Sequence, residues 1–143
     1  KESNLHLYLR ECKKYNVVHI VRISEPSYSR EEVESAGISL HEMNYPDGTS
    51  PPGDIIERWV QLVGETFDTR RDDSPCIAIH CVAGLGRAPV LVAIALIEYG
   101  MDAAQAVTTI RERRRGAINQ VQLNYLEGYR RIRKKGGQCI IMQ

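Results

Sequence analysis

A cysteine and an arginine stand six positions apart in the glycine-containing segment His80-Cys81-Val82-Ala83-Gly84-Leu85-Gly86-Arg87. Glycines let the backbone curl so that successive N–H groups point inward, and a helix that begins after the loop adds its positive N-terminal end. That field favours an anion, and the thiolate of a cysteine, rather than the thiol, is the nucleophile. The planar fork of Arg87 can hold two phosphoryl oxygens. We therefore predict a phosphate cradle over residues 82–87, with Cys81 as nucleophile.

The alternative interpretation is a buried cysteine at the end of a strand and an ordinary arginine in the first turn of a helix. The spacing alone would favour it, but His80, two glycines and a strand–loop–helix setting together favour the catalytic interpretation. Since neighbouring residues of a strand face opposite sides, His80 is expected to point away from the pocket and to support the loop rather than act as a base. A satisfied core histidine is an equal alternative for His80.

Ester hydrolysis also needs an acid, because a tyrosine-like leaving group has a pKa of about 10 and leaves faster when its oxygen is protonated. Asp47, in the loop 45–52, is our candidate. Its Pro-Asp-Gly segment would also form a plain turn, and Asp54 and Glu42 are alternative acids. Ala88 offers no hydroxyl to hydrogen-bond the sulfur as it departs. Slow turnover with a long-lived phosphoenzyme follows as a prediction.

Hydrophobic periodicity predicts the elements that must position these residues. The first half should contain a helix over 5–15, a strand over 17–23, a short helix capped by Ser29, a short strand over 38–43 and a helix over 54–70. A strand over 76–80 buried on both faces, a buried helix from Arg87, a helix from Met101 to the basic run, and a last helix from Asn119 to about Lys134 should follow. Strands that alternate with helices predict an α/β domain with a central, mostly parallel sheet flanked by helices.

Length and composition fit one domain, expected over residues 1–135 with a flexible tail over 136–143. No apolar run approaches the roughly 20 residues that span a bilayer, and no signal peptide is visible. Four scattered cysteines do not make a disulfide framework, so we expect a reducing, cytoplasmic setting, with no metal, cofactor or nucleic acid. Because the sequence does not begin with Met, further residues before Lys1 are also expected.

The segment 80–93 resembles the signature loop and helix of the phosphatases of regenerating liver (PRL), in the dual-specificity branch of the cysteine-dependent protein tyrosine phosphatases. The similarity includes the unusual Ala88 and extends through residues 13–15, 21–23, 51–52 and 114–117. It implies a central sheet flanked by helices, with Cys81 as nucleophile, Arg87 as the phosphate-binding residue and Asp47 as the acid.

The residues do not distinguish between three possible substrates: phosphotyrosine, phosphoserine/threonine and a phosphoinositide. The resemblance also suggests a different function, a module that captures a phosphate or carboxylate of a partner such as a CNNM-type magnesium transporter. Sulfur transfer of the rhodanese kind is a third possibility, which the Gly-Leu-Gly-Arg ending of the loop fits poorly.

Two features depart from the family's pattern. Asp47 alone precedes Gly48, where the family usually has two acids, and Ser24 stands where the family has a second cysteine. Cys76 cannot replace that cysteine, because five residues of extended strand separate it from Cys81 by about 16 Å, beyond the roughly 7 Å limit for a disulfide. A reversible disulfide to Cys81 is therefore not expected.

The C-terminal residues resemble the family's membrane anchor. The basic side chains that would favour an anionic membrane surface are Arg130, Arg131, Arg133, Lys134 and Lys135. They belong to the segment 111–135, which holds nine lysines and arginines against two glutamates and could equally be a solvated helical face. Cys139 stands fifth from the end, whereas a prenylation box needs it fourth, so farnesylation would require loss of Gln143. A lipid and a basic patch together would hold the protein peripherally on a membrane.

Overall fold

The computed structural model describes residues 4–23, 27–68, 72–81 and 86–133. In chain order the elements are α1 Asn4–Lys14, β1 Val17–Ile23, α2 Arg30–Ser35, β2 Ser39–Glu42, α3 Gly53–Phe67, β3 Cys76–Cys81, α4 Arg87–Glu98, α5 Ala103–Arg113 and α6 Gln120–Glu127. The three strands are all parallel and lie in the order β2-β1-β3. The predicted α/β fold with a parallel central sheet is confirmed. In the ranges just given, no helix is both long and apolar enough to cross a bilayer.

The register of the sheet decides which loops meet. Arg22 of β1 is paired with Glu42 of β2 on one side and with His80 of β3 on the other. Because the strands are parallel, their carboxyl ends lie at one edge, which is where ligands bind in open α/β sheets. The chain leaving β2 carries Asp47 and the chain leaving β3 leads to Arg87, so both begin at this edge.

β3 differs from its prediction. Its apolar run predicted a strand buried on both faces, but all six residues of Cys76–Cys81 are only half-buried. In the part of the sheet that the structure describes, β3 pairs with β1 alone and forms an edge, while β1 takes the interior position. The prediction of two buried faces was therefore wrong, because burial depends on neighbours that a strand's own sequence does not specify.

Helices cover both faces of the sheet. On one face, α1 and α2 pack on a cluster that contains Leu9, Cys12, Ile20, Val33 and Leu40. On the other, α3 to α6 pack on a larger cluster that contains Val21, Trp59, Leu91, Val107 and Leu126. The residues of β3 alternate between the two: Ile77, Ile79 and Cys81 contact the larger cluster, whereas Cys76 and Ala78 contact the smaller one.

α4 is the central helix of the larger layer, as its uninterrupted apolar sequence predicted. Val90, Leu91, Ala93 and Ile94 are fully buried. The indole N–H of Trp59 on α3 donates to the Leu91 carbonyl at 2.6 Å, so a buried polar group is satisfied between the two helices. This packing fixes the direction of α4 and hence the position of its N-terminus at the edge of the sheet.

α6 is shorter than predicted. It begins after the Asn119 cap but ends at Glu127 rather than near Lys134, and Gly128 follows it. The chain beyond is held by the buried carboxylate of Glu98. The donors to that carboxylate are the Tyr129 hydroxyl at 2.6 Å and the backbone N–H groups of Ile132 at 2.8 Å and Arg133 at 3.1 Å. The backbone N–H groups of Ile132 and Arg133 thus donate to the Glu98 carboxylate rather than to carbonyls of a longer α6.

Candidate active site

Cys81 is the last residue of β3 and lies half-buried just before the chain reaches α4. The N-cap of α4 is Gly86, and the backbone N–H of Ala88, in the first turn, donates to Cys81 Sγ at 3.4 Å. The sulfur therefore contacts the N-terminal end of a helix, where unpaired N–H groups and the helix dipole favour negative charge. Val82, Ala83, Gly84 and Leu85 lie outside the described residues, so their role in a phosphate cradle stays a prediction.

Arg87 begins α4 and reaches across to the chain that follows β2. Its Nη1 donates to Asn44 Oδ1 at 3.2 Å and to the Tyr45 carbonyl at 3.3 Å. The Tyr45 hydroxyl in turn donates to the Arg87 carbonyl at 2.8 Å. The pKa of buried Tyr45 is raised, first by burial and then by the nearby Cys81, with Arg87 opposing the shift. These contacts bring the segment after β2 against the start of α4.

Asp47 lies in the turn of this segment, next to Gly48, whose φ of 78° is in the left-handed region that favours glycine. Asp47 Oδ1 is 3.8 Å from Arg87 Nε, and the Asp47 side chain is 69% exposed. The same oxygen is 2.7 Å from the point where a Cβ on Gly86 would lie. The carboxylate therefore lies over the first residues of α4, with Arg87 beside it.

The two alternative acids are placed for other roles. Glu42 forms ion pairs with Arg22 at 3.1 Å and Arg30 at 3.2 Å. Burial raises the pKa of Glu42, but the hydrogen bond and charge of Arg22, helped by Arg30, outweigh this and hold the pKa below its usual value. Glu42 is thus ionised at neutral pH and unsuited to donate a proton. Asp54 lies in the first turn of α3, where a carboxylate stabilises the helix.

His80 faces the layer that carries α1 rather than α4. Its Nε2 is 2.6 Å from the Tyr28 hydroxyl, and its ring is nearly perpendicular to that of Tyr8, with centroids 5.9 Å apart. Burial, and then the charge of Arg22, lowers the pKa of His80, so the ring is neutral at pH 7. A neutral ring held by a tyrosine on the opposite face of the sheet fits a supporting residue better than a base.

Among the described residues, the two other cysteines, Cys12 and Cys76, lie away from this centre. Cys76 is the first residue of β3 and Cys81 the last, and both are free thiols, as is the buried Cys12 of α1. The two ends of one extended strand cannot approach within disulfide distance. Ser24, the residue that departs from the family's second cysteine, lies outside the described residues.

Gln122 is a residue that sequence reasoning missed. It is 1% exposed, and its Oε1 accepts from the Asn119 backbone N–H at 3.0 Å, within the capping box of α6. With Oε1 fixed, Nε2 lies 3.7 Å from the point where a Cβ on Gly86 would be. Nε2 has no hydrogen-bond partner in the described ranges, and such buried orphan donors are uncommon. The available signal was an Asn-x-x-Gln capping box, which indicates a helix start but not where the free end of the amide points.

Comparison with known proteins gives a consistent result. Residues 3–101 match a family profile described as a DSP-PTPase phosphatase of polymorphic toxin systems. A type IVA A protein tyrosine phosphatase of Dictyostelium discoideum is 52% identical over 141 residues, which cover 99% of this chain and 82% of that protein. PRL-1 phosphatase of Drosophila melanogaster is 46% identical over 139 residues, covering 95% of this chain and 78% of that protein.

The solved structures agree with this assignment. That of a protein tyrosine phosphatase from Leishmania major is similar with a TM-score of 0.78 at 41% identity, covering 90% of this chain and 82% of that one. The resemblance inferred from the sequence is confirmed. This chain belongs to the type IVA, or PRL, family of protein tyrosine phosphatases.

Proposed function

We propose that this phosphatase works in two steps through a phosphocysteine on Cys81. The observation that carries the proposal is the meeting of three groups at one edge of the sheet. The Cys81 sulfur contacts the helix N-terminus at Ala88, Arg87 lies in the first turn of that helix, and Asp47 lies 3.8 Å from the Arg87 Nε. A nucleophile, a fork-shaped cation and an exposed acid are the groups that transfer of a phosphoryl group from an ester requires.

In the first step the Cys81 thiolate attacks phosphorus and the bond to the ester oxygen breaks. Asp47 donates its proton to that oxygen, which leaves as an alcohol or phenol. Arg87 and the backbone N–H groups of the loop hold the phosphoryl oxygens, whose charge is spread out in the transition state. The Gln122 Nε2 supplies one more N–H near the same place, since it lies close to Gly86 and lacks a partner among the described residues.

In the second step water attacks the phosphocysteine, Asp47 takes a proton from the water, and the P–S bond breaks to restore the thiolate and release inorganic phosphate. Ala88 contributes a backbone N–H to the sulfur but no hydroxyl. The departing thiolate thus lacks that stabilisation, which supports slow breakdown of the phosphoenzyme. We propose phosphorylated proteins as the substrate class, with phosphoserine/threonine and phosphoinositides as alternatives to phosphotyrosine. Phosphotyrosine comes first because the Dictyostelium and Leishmania relatives are named as protein tyrosine phosphatases.

The direct test is to trap the intermediate. Protein mixed with a phosphotyrosine peptide and quenched in acid should carry phosphate on Cys81 by peptide mass spectrometry, and Cys81→Ser should abolish both adduct and hydrolysis. Cys76→Ser, at the other end of the same strand, is the matched control and should keep both. A persulfide on Cys81, or hydrolysis that survives Cys81→Ser, would overturn the mechanism.

A second function, capture of a partner's carboxylate, is favoured by one observation. Arg87 Nε lies 3.8 Å from the chain's own Asp47 carboxylate, so this cation can attract a carboxylate as well as a phosphate. The partner class suggested by the sequence is a CNNM-type magnesium transporter. If capture is a function of the site, the Cys81→Ser protein will retain binding to the transporter's regulatory domain while Arg87→Ala loses it. Equal binding by both variants would show that this site does not contribute to the interaction with the transporter domain.

We also propose peripheral attachment to an anionic membrane, with fewer basic side chains available for it than the sequence alone suggested. Arg131 donates from Nε to the Ile97 carbonyl at 2.6 Å, and Arg133 binds the Asp68 carboxylate at 2.9 Å. Two of the predicted basic residues are therefore engaged within the protein, whereas Arg130 is exposed. Lys134, Lys135, Cys139 and Gln143 lie outside the described residues. Sedimentation with vesicles that contain phosphatidylserine, with Arg130→Ala as the variant, tests the remaining contribution.

A further inference from the structure

The Arg87 guanidinium has one edge held by hydrogen bonds and a second, open edge, whose Nε has no hydrogen-bond partner among the residues that the structure describes. Nη1, the terminal nitrogen on the Cδ side, donates to Asn44 Oδ1 at 3.2 Å and to the Tyr45 carbonyl at 3.3 Å. The opposite edge consists of the Nε–H and Nη2 groups, which form the fork used to grip carboxylate or phosphate with two parallel hydrogen bonds. The Arg87 Nε has no hydrogen-bond partner within the described ranges, although the side chain is only 13% exposed.

An anionic oxygen already approaches this open edge. Asp47 Oδ1 lies 3.8 Å from Arg87 Nε, which is too long for a hydrogen bond but close enough for attraction. A buried donor without a partner costs free energy. An incoming oxygen that accepts from this edge therefore binds more favourably than it would at a group that already has a partner. The orientation of the whole fork thus depends on what holds Nη1.

We propose that Asn44 is a positioning residue for Arg87: by fixing Nη1 it turns the Nε and Nη2 edge toward the phosphoryl group. This inference rests on the proposed role of Arg87 at the phosphate. The two oxygens that accept from Nη1 belong to adjacent residues, one to a side-chain amide and one to a backbone carbonyl. The Tyr45 acceptor is a backbone carbonyl, which a substitution cannot remove. The Asn44 acceptor is a side-chain amide, so this hydrogen bond depends on the residue type at position 44.

The chemistry of an amide suits this task. A free arginine side chain has rotamer entropy to lose, and an anchor that holds its guanidinium in advance reduces that loss when an anion binds. A carboxylate at position 44 would also hold Nη1, but it would neutralise the charge needed for phosphate and repel the anion itself. The neutral amide oxygen orients the cation without competing for it.

Asn44 is exposed, so its replacement is compatible with folding. For Asn44→Ala we expect the dissociation constant of inorganic phosphate, measured by calorimetry, to rise about ten-fold, as for loss of one hydrogen bond to a charged group. Asn44→Asp should leave the urea midpoint unchanged or raised, because it pairs with Arg87, yet it should weaken phosphate binding at least as much. A merely structural role predicts that aspartate, which keeps an acceptor at this position, preserves phosphate binding.

Thr49→Ala is the matched control, since Thr49 is an exposed residue of the same loop whose hydroxyl donates to the Pro46 carbonyl at 2.7 Å rather than to Arg87. It should leave phosphate affinity unchanged. Arg87→Ala should abolish phosphate binding, which tests the proposed function separately. If Arg87→Ala abolishes binding but Asn44→Ala or Asn44→Asp retains the native affinity, the positioning role is overturned and the proposed function stands. If Arg87→Ala retains the native affinity, both fail.

Discussion

Replacing Gly86 by alanine should impair the proposed proton donation by Asp47 more than it impairs phosphate binding. The φ of Gly86 is −117°, which any residue can adopt, so backbone strain is not the reason. The added methyl group would lie 2.7 Å from Asp47 Oδ1, a separation that real Cβ atoms essentially never show. Its distance to Gln122 Nε2, 3.7 Å, is an ordinary contact. The carboxylate is therefore the group that must move.

The size of the effect follows from this geometry. Carbon–oxygen contacts begin at about 3.3 Å, so the Asp47 carboxylate has to retreat by roughly 0.6 Å. Displacements of about 1 Å can cost 100-fold in rate, and general acid catalysis contributes about 100- to 10,000-fold in total. We expect kcat/KM for a phosphotyrosine peptide to fall by about 100-fold, or about 2.7 kcal/mol. The Asp47 side chain is 69% exposed, so its displacement crowds no buried group, and stability should change by less than about 0.5 kcal/mol.

The assay compares two leaving groups. An aryl phosphate with electron-withdrawing nitro groups releases a stable phenolate that needs no proton, so its kcat/KM should fall only a few-fold. The ratio kcat/KM is the right measure, because it reports transfer to Cys81 even when breakdown of the phosphoenzyme limits kcat. Asp47→Asn should show the same pattern, and the double variant should add little to either change. Equal losses on both substrates, or a further 100-fold loss in the double variant, would refute the reasoning.

Three other predictions test separate parts of the molecule. Ala88→Ser places a hydroxyl beside the Cys81 sulfur, so steady-state kcat should rise several-fold and the trapped phosphoenzyme should decrease; an unchanged kcat would mean that phosphoenzyme breakdown is not limiting. Asp102→Ala removes the capping box of α5 and should lower the free energy of unfolding in urea by about 1 kcal/mol, whereas unchanged stability would contradict a role for the cap. Burial, and then the Arg58 charge, lowers the pKa of His41 below 6.5 in the folded protein, so the unfolded chain binds the proton more readily. Stability should therefore be full above about pH 6.5 and decline below it, with a shallower decline in His41→Asn; identical slopes would exclude His41 as the cause.

The order and type of the elements could be predicted from the sequence because their signals are local. Ser29 and Asn119 each accept a backbone N–H of the helix that follows them, as their positions predicted. Alternation of strands and helices implied parallel strands, and parallel strands place the ends of β2 and β3 at one edge. The meeting of Asp47 and Arg87 at that edge follows from this parallel topology.

What could not be predicted depends on distant partners. The end of α6 is set by Glu98, which lies 31 to 35 residues away from the groups that bind it. Asn44 and Arg87 are 43 positions apart, and nothing in the sequence near either one indicates the other. Gln122 shows a capping box locally, while the importance of its amide arises from its proximity to Gly86. Side-chain pairing across a fold has no periodicity, so pattern analysis does not detect it.

Residues 44–47, which include the proposed acid Asp47, are joined to the start of α4 by hydrogen bonds. Three hydrogen bonds connect them: two from Arg87 Nη1 to Asn44 and Tyr45, and one from the Tyr45 hydroxyl back to Arg87. Tyr45 is buried, so its hydroxyl bond resists exchange with water. The Asp47 carboxylate, two residues beyond this junction, is thereby held near the arginine before any substrate arrives. Since groups fixed in advance lose less freedom when a ligand binds, the residues that lock Arg87 in place also position the acid, and a defect in either group should impair the other.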